Sequence, residues 1–294
     1  MGKILITGAT GNVGRYTAEY LLGAGEEVKA ASKSKDKVTK LFGNAAEYCE
    51  FDFRRPETFA NALKETDRVF LMRPPQMGNP EELYPFLDAV KKKGDIRLVV
   101  FLSLQGAEKN PMPPHHKIEK YMIHTGLPYC FMRPGFFMQN LSGVHAFEIK
   151  YFDRIIVPAG KSLTGFIDAR DIGDISGMVL SRPEGHEEKA YEITGPEAID
   201  YYKAAEILSQ ELGRKITYTE VSPGKALYYW THIRGLDEEY SKVMNMLYRL
   251  TRMGMAKTVT DDFEKITGRK ARSFQEFVRE NRESWIYPSL IESL

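Results

Sequence analysis

The sequence predicts an α/β protein built on a doubly wound parallel sheet. Three observations carry this. A glycine-rich turn, Gly8-Ala9-Thr10-Gly11-Asn12-Val13-Gly14, joins a short apolar strand to a helix. Short β-branched or aromatic runs then alternate with helix-period segments through the first half of the chain. The run LVVFLSL at 98–104 is apolar almost throughout, as a strand covered on both faces must be. Strands separated by helices of about 10 to 15 residues imply right-handed crossovers and parallel pairing.

In chain order, strands are expected at Lys3–Thr7, 27–31, 47–52, 68–72, 97–103 and 129–133. Helix 13–22 carries Val13, Ala18, Leu21 and Leu22, and helix 80–93 repeats Leu83, Phe86, Leu87 and Val90. Residues 109–114, Lys-Asn-Pro-Met-Pro-Pro, read as a loop directly after a core strand. Past residue 150 the rhythm changes. A turn at Pro158-Ala159-Gly160 leads to a strand at 164–168 and a helix for which Asp171 is the N-cap. A strand at 190–194, a helix at 202–212 and a strand at 216–221 follow. In the helical tail, 236–255 aligns Leu236, Tyr240, Val243, Met244, Leu247 and Leu250. The expected organisation is a first domain over 1–150, completed by a strand and helix around 164–182, and a smaller, mostly helical lobe over 151–294.

Composition excludes several classes. With 41 basic and 40 acidic residues the net charge is +1, which gives no electrostatic reason to expect nucleic acid. No apolar stretch approaches the roughly 18 residues of a membrane helix. Cys49 and Cys130 lie inside apolar runs, as buried reduced thiols do, and a cytoplasmic location is expected. No CxxC, no zinc-spaced His/Cys cluster, no GxxxxGK[ST] and no GxSxG occurs.

The glycine turn has a specific chemistry. Gly8 permits the tight turn, Gly11 lets the backbone approach a pyrophosphate, and Gly14 lets the helix pack closely. The helix start adds free N–H groups and its positive dipole end. Thr10, Asn12 and Val13 complete the loop as further dinucleotide contacts. An NAD site usually carries an acid about 20 residues past the glycines. Here 30–35 reads Ala-Ala-Ser-Lys-Ser-Lys, with no acid before Asp36. Ser32 and Lys33 are therefore expected to hold a 2′-phosphate, making the cofactor NADP (NADPH); the competing reading makes Lys33, Lys35 and Lys37 a solvated turn. Asp52 and Phe53 are placed to meet adenine by polar contact and stacking. Ser103, at the carboxyl end of the fifth strand, is read as a cofactor or substrate contact or as a serine that ends its strand.

These residues, with later blocks, resemble the NmrA-like family of atypical short-chain dehydrogenase/reductases over nearly the whole chain. The blocks are the glycine loop; Asp52 with Arg55-Pro56-Glu57; Gly126-Leu127-Pro128-Tyr129; Arg133-Pro134-Gly135-Phe136 and Asn140; Asp168-Ala169-Arg170-Asp171-Ile172; and Ile193-Thr194-Gly195-Pro196. Within the family the chain is similar to NADPH-dependent quinone reductases and triphenylmethane-dye reductases; other members are catalytically inactive nucleotide sensors. The resemblance implies a Rossmann fold of the extended kind. It also implies that the superfamily's Tyr-x-x-x-Lys pair corresponds to Pro111 and His115, four residues before Glu119, so the usual alcohol-dehydrogenase mechanism is lost. His115 becomes the candidate catalytic residue, bonding the nicotinamide ribose or donating a proton. Its bland alternative is a histidine that merely starts a helix.

Hydride transfer to a quinone or cationic dye relies mainly on orientation and exclusion of water. Phe136, Phe137 and Asn140 are the candidate substrate contacts, with Met138, Tyr229 and Trp230 as further pocket or core residues. The expected activity is NADPH-dependent reduction of a quinone-like or other planar electron-poor acceptor, with no nucleic-acid or membrane partner. Two alternatives stand beside it. One is a non-catalytic NADP-binding sensor acting through a protein partner, suggested by the missing Tyr/Lys pair and the methionine-rich stretch 244–255. The other is a nucleotide-sugar epimerase-like enzyme, which the same loss weakens. The tail's apolar faces could dock on the first domain or on a second copy, a homodimer.

Overall fold

A computed structural model of the chain describes residues 2–287. The chain begins β1 (Lys3–Thr7), α1 (Asn12–Gly23), β2 (Val28–Ser32), α2 (Lys35–Phe42), β3 (Glu47–Glu50), α3 (Phe59–Leu63) and β4 (Thr66–Met72). It continues with α4 (Tyr84–Lys93), β5 (Leu98–Leu102), α5 (Pro114–His124), β6 (Tyr129–Pro134), β7 (Phe136–Phe137), α6 (Gln139–Ser142) and α7 (Ala146–Phe152). Then come β8 (Arg154–Val157), β9 (Phe166–Ile167), α8 (Ala169–Ser181), β10 (Lys189–Ile193), α9 (Tyr201–Leu212) and β11 (Thr217–Glu220). The remaining helices are α10 (Pro223–Tyr228), α11 (Glu238–Arg252), α12 (Asp262–Thr267) and α13 (Phe274–Glu280).

The chain forms two units. The first runs to Pro134 and takes back Ala169–Ile193 and Asp262–Arg269; the second holds Gly135–Asp168, Thr194–Asp261 and the chain from Lys270. The division therefore falls at Pro134 and not at residue 150. Periodicity along the chain reveals elements but not which sheet a returning segment joins.

In the first unit seven parallel strands lie in the order β10-β6-β5-β4-β1-β2-β3. The seventh strand is β10, which pairs with β6 from Lys189↔Cys130 to Ile193↔Pro134. The run expected to complete the sheet, 164–168, instead gives only β9, paired with β7 at Phe136↔Phe166 and Phe137↔Ile167 in the second unit. One side of the sheet is covered by α1 and α8, which meet through glycine. A Cβ on Gly173 would lie 2.4 Å from Tyr16 Cβ and 2.9 Å from the Thr17 backbone nitrogen. Asp171 is not the N-cap of α8: the helix already starts at Ala169. Its fully buried carboxylate accepts from Arg269 Nη2 at 2.8 Å, which ties the 262–269 segment to α8. The other side is an aliphatic and aromatic core in which Phe51, Phe53, Phe59 and Phe86 contact one another and Val69, Val99 and Phe101 belong to the same cluster.

The second unit has an aromatic core that includes Phe166, Tyr201, Trp230, Tyr248, Phe274, Phe277 and Trp285. Met138 and Trp230, read as pocket or core, are core. Helix α11 buries Ser241, Met244, Tyr248 and Thr251, a stripe rotated from the apolar one. The rotation follows the large Tyr248 ring, whose hydroxyl meets His145 Nε2 at 2.7 Å inside the core. Among the described residues no helix is long and apolar enough to cross a membrane.

The α1–α8 contact is directly testable. Gly173→Ala gains about 1 kcal/mol of helix propensity, but the added methyl meets backbone that cannot swing aside. We expect a net loss of about 1–3 kcal/mol, read as a lower urea midpoint at unchanged m-value; equal or greater stability would mean the helices can separate at little cost.

Candidate functional site

The site begins where the sheet changes direction. From β1 the chain winds outward to β2 and β3, while β4 leads the opposite way to β5 and β6. The loops above the adjacent ends of β1 and β4 therefore part and leave a crevice. Thr7 fixes this point: its Oγ1 donates to Phe70 O at 3.0 Å and accepts the Met72 N–H at 2.9 Å. Gly8 follows with φ +65, and a Cβ there would lie 2.7 Å from Met72 Cγ. A Cβ on Gly14 would lie 2.3 Å from the Gly8 carbonyl oxygen, so α1 starts against the turn itself. Gly11 is the N-cap of α1 and brings no side-chain hydrogen bond; the first turn holds no acid. The N–H groups opening α1 thus lack a side-chain cap and suit an anion.

Beside this turn lies a cleft of about 390 Å³. Gly8, Thr10, Ser32, Lys33, Asp52 and Phe53 all line it, as do Lys37, Arg54 and Gln76. Gly11, Asn12, Val13 and Gly14 do not line it; Gly11 and Gly14 shape its entrance turn. Lys33 Nζ lies 2.7 Å from Asp52 Oδ2. Partial burial pulls the Asp52 carboxyl upward, but Lys33 and the Arg54 N–H outweigh it, and its pKa falls below the usual carboxylate value. Phe53 is 7% exposed and packs edge-on against Phe51 and Phe86. Its ring thus both lines the cleft and packs in the core. Arg73 braces the loop that forms one wall: its Nη1 donates to Pro74 O at 3.0 Å and to Met77 O at 2.5 Å.

His115 is the second residue of α5 and half-buried, its ring centroid 6.0 Å from that of Phe101. Its Nδ1 has no solvent-accessible surface and no hydrogen-bond partner among the described residues. Burial first, then the nearby Arg73 charge, push its pKa down to about 3. The ring is therefore neutral near pH 7 and offers one N–H and one lone pair, not an imidazolium. The neighbouring His116 is half-buried and pairs through Nδ1 with Ala107 O at 2.7 Å. One turn after His115, Glu119 is buried and receives Arg133 Nε at 3.0 Å and Nη2 at 2.7 Å. Ser103 Oγ donates to the same carboxylate at 2.5 Å. Ser103 is 4% exposed, and its hydroxyl proton is held by Glu119. Arg133 Nη1 also pairs with Glu108 at 3.1 Å, so one guanidinium joins β6, α5 and the 104–113 loop.

In the second unit Phe136 and Phe137 are half-buried on β7, with the Phe136 ring 5.1 Å from Tyr248 and 6.2 Å from Phe166. Asn140 is half-buried on α6, and its carbonyl accepts the His145 N–H at 3.0 Å. Tyr229 donates to Glu148 at 3.0 Å. Among the described residues no group of three His, Cys, Asp or Glu could hold a metal. Sequence reading missed Thr7, Met72, Lys37 and Arg54. The last two carried a faint signal, as cations flanking already chosen residues; Thr7 and Met72 carried none.

Comparison with known proteins agrees with this architecture. The Dictyostelium discoideum protein "Prestalk A differentiation protein A" is 32% identical over 285 residues, covering 95% of this chain and 92% of that one. An NAD(P)H azoreductase of Xenophilus azovorans is 30% identical over 279 residues, covering 94% of this chain and 96% of that one. The Escherichia coli NADPH-dependent quinone oxidoreductase, solved in complex with NADPH, is similar in fold at TM-score 0.85 and 22% identity, covering 94% of this chain and 99% of that one. The model of the NmrA-like family matches residues 1–278, and with the switch-point cleft and its glycine cradle this chain belongs to the NmrA-like family.

Proposed function

We propose that the protein is an NADPH-dependent oxidoreductase that reduces a quinone-like or other planar electron-poor acceptor. The observation that carries it is the glycine cradle: a Cβ at Gly8 or Gly14 would strike its neighbours, and the backbone N–H groups opening α1 stand beside a cleft that carries Lys33 and Lys37. The names of the azoreductase and quinone-oxidoreductase relatives support the same reaction class.

The residues fit the cofactor. The cradle accepts the pyrophosphate on backbone N–H groups, and Lys33, with Ser32, meets the 2′-phosphate. Asp52 serves the adenosine half. Bound NADPH supplies the hydride. The chain's task is then orientation and exclusion of water, since an electron-poor acceptor yields a stabilised product with little need of a strong acid. His115 acts as a neutral hydrogen-bonding group toward a ribose hydroxyl or the acceptor. The Glu119–Arg133–Ser103 network keeps its helix in place. Phe136, Phe137 and Asn140 are the acceptor residues to test in the second unit.

Two measurements examine this. Purified protein given NADPH and a panel of quinones, azo dyes and cationic dyes should oxidise NADPH only when an acceptor is present. Micromolar cofactor binding without turnover across the panel would instead favour the sensor reading, which rests on Pro111 and His115 standing where the superfamily has Tyr and Lys. For the active protein, His115→Ala should lower kcat about tenfold, the worth of one hydrogen bond. Because the folded-state pKa is depressed to about 3, kcat/KM should show no histidine inflection between pH 5.5 and 8. An inflection near 6.5 that disappears in His115→Ala would mean that the ring titrates and acts as an acid.

A further inference from the structure

We infer that Asp52 is a specificity-determining residue: its carboxylate competes with the cofactor's 2′-phosphate for Lys33 and, when no phosphate is present, accepts from the ribose hydroxyls, so that the cleft takes NADH as well as NADPH. The inference rests on the nucleotide reading of the same cleft.

The sequence around the second strand argues for phosphate alone, because 30–35 carries no acid. Folding changes that account. β2 pairs with β3 through Ser32↔Glu50, which brings the residue two beyond Glu50 against the one just beyond Ser32. Lys33 Nζ then meets Asp52 Oδ2 at 2.7 Å, and both side chains line the cleft. The acid that an NAD site takes from the second strand is thus supplied by the third.

The pair is asymmetric. The Lys33 side chain is 69% exposed and that of Asp52 20%. Asp52 is also anchored, since its Oδ1 accepts the Arg54 N–H at 3.0 Å. Lysine is the arm that moves, and the carboxylate stays. A ribose phosphate brings a charge of about −1.5 to −2. It must draw Lys33 from Asp52 and then sit beside a fixed anion. Arg54 gives limited help, because its Nε is paired with Glu82 at 2.7 Å. An unphosphorylated ribose meets none of this cost, and its hydroxyls can donate to the carboxylate oxygen that Lys33 now holds. Discrimination is therefore smaller than Lys33 alone would give. Exposed ion pairs are weak, so the effect of the competition should be about twofold to fivefold in relative affinity.

The test is calorimetric titration of the purified full chain with NADPH and with NADH, for the wild type, Asp52→Asn and Lys33→Ala. Asparagine keeps an Oδ1 for the Arg54 N–H, so the turn survives; Asp52→Ser gives the same reading should that variant not fold. The wild type should bind both cofactors. Asp52→Asn should raise the ratio of the NADH to the NADPH dissociation constant about twofold to fivefold. Lys33→Ala should bring the ratio towards one. An unchanged or lower ratio in Asp52→Asn, or a wild type that binds NADPH but not NADH, overturns the inference and leaves the nucleotide reading standing. A wild type that binds neither overturns both.

Discussion

Helix α1 begins closer to the turn before it than any side chain allows. At Gly14 a single methyl carbon would sit 2.3 Å from the Gly8 carbonyl, and at Gly8 one would sit against Met72 of the neighbouring strand. This approach fixes where the helix axis points, and with it where the uncapped N–H groups aim. Thr7 supports it by replacing a ladder contact with its own hydroxyl at the moment β1 and β4 diverge. Covering the sheet makes the same demand a second time, at Gly173 against the backbone of α1. A helix held by glycine on both sides has little room to shift, which suits an anion site built from backbone.

Charge in this unit is used in two distinct ways. Deep inside, carboxylates are paired before they face a ligand: Glu119 takes Arg133 and Ser103, and Asp171 takes Arg269. Burying these groups is tolerable only because each is met by charge-assisted hydrogen bonds. Such pairs brace elements that are distant in sequence, α5 to β6 and α8 to the 262–269 segment. At the cleft the charges are more exposed and weakly paired, Lys33 with Asp52 and Arg54 with Glu82. Weak pairs can be exchanged for those of a ligand at small cost. His115 belongs to neither class. Low dielectric surroundings and Arg73 keep it uncharged.

Much of this was legible residue by residue. The strand–glycine–helix spacing at 3–22 located the cradle, because a βα turn of that length needs glycine wherever backbone meets backbone. The apolar runs gave the six strands β1 to β6 to within a few residues. Other features were not legible, for physical reasons. Phe53 lines the cleft, and its ring also completes an aromatic cluster with Phe51 and Phe86 that the sequence does not show. Ser103 follows its strand, and a buried carboxylate from α5 accepts its hydroxyl, a partner no local pattern shows. The stripe on α11 follows Tyr248 and Ser241, which hydropathy ranks low and which are both buried, Tyr248 with its hydroxyl on His145.

The sequence by itself determined the sheet class, the cradle and the family, because each depends on short-range spacing: period-2 and period-3.6 patterns and glycines at fixed offsets. Tertiary structure alone decided which segments return to the first unit, which strand is seventh, and which charges meet. Those outcomes depend on pairs far apart in the chain, Cys130 with Lys189, Arg269 with Asp171, Lys33 with Asp52. No local pattern encodes them; they follow from register across the sheet and from the need of every buried charge for a partner.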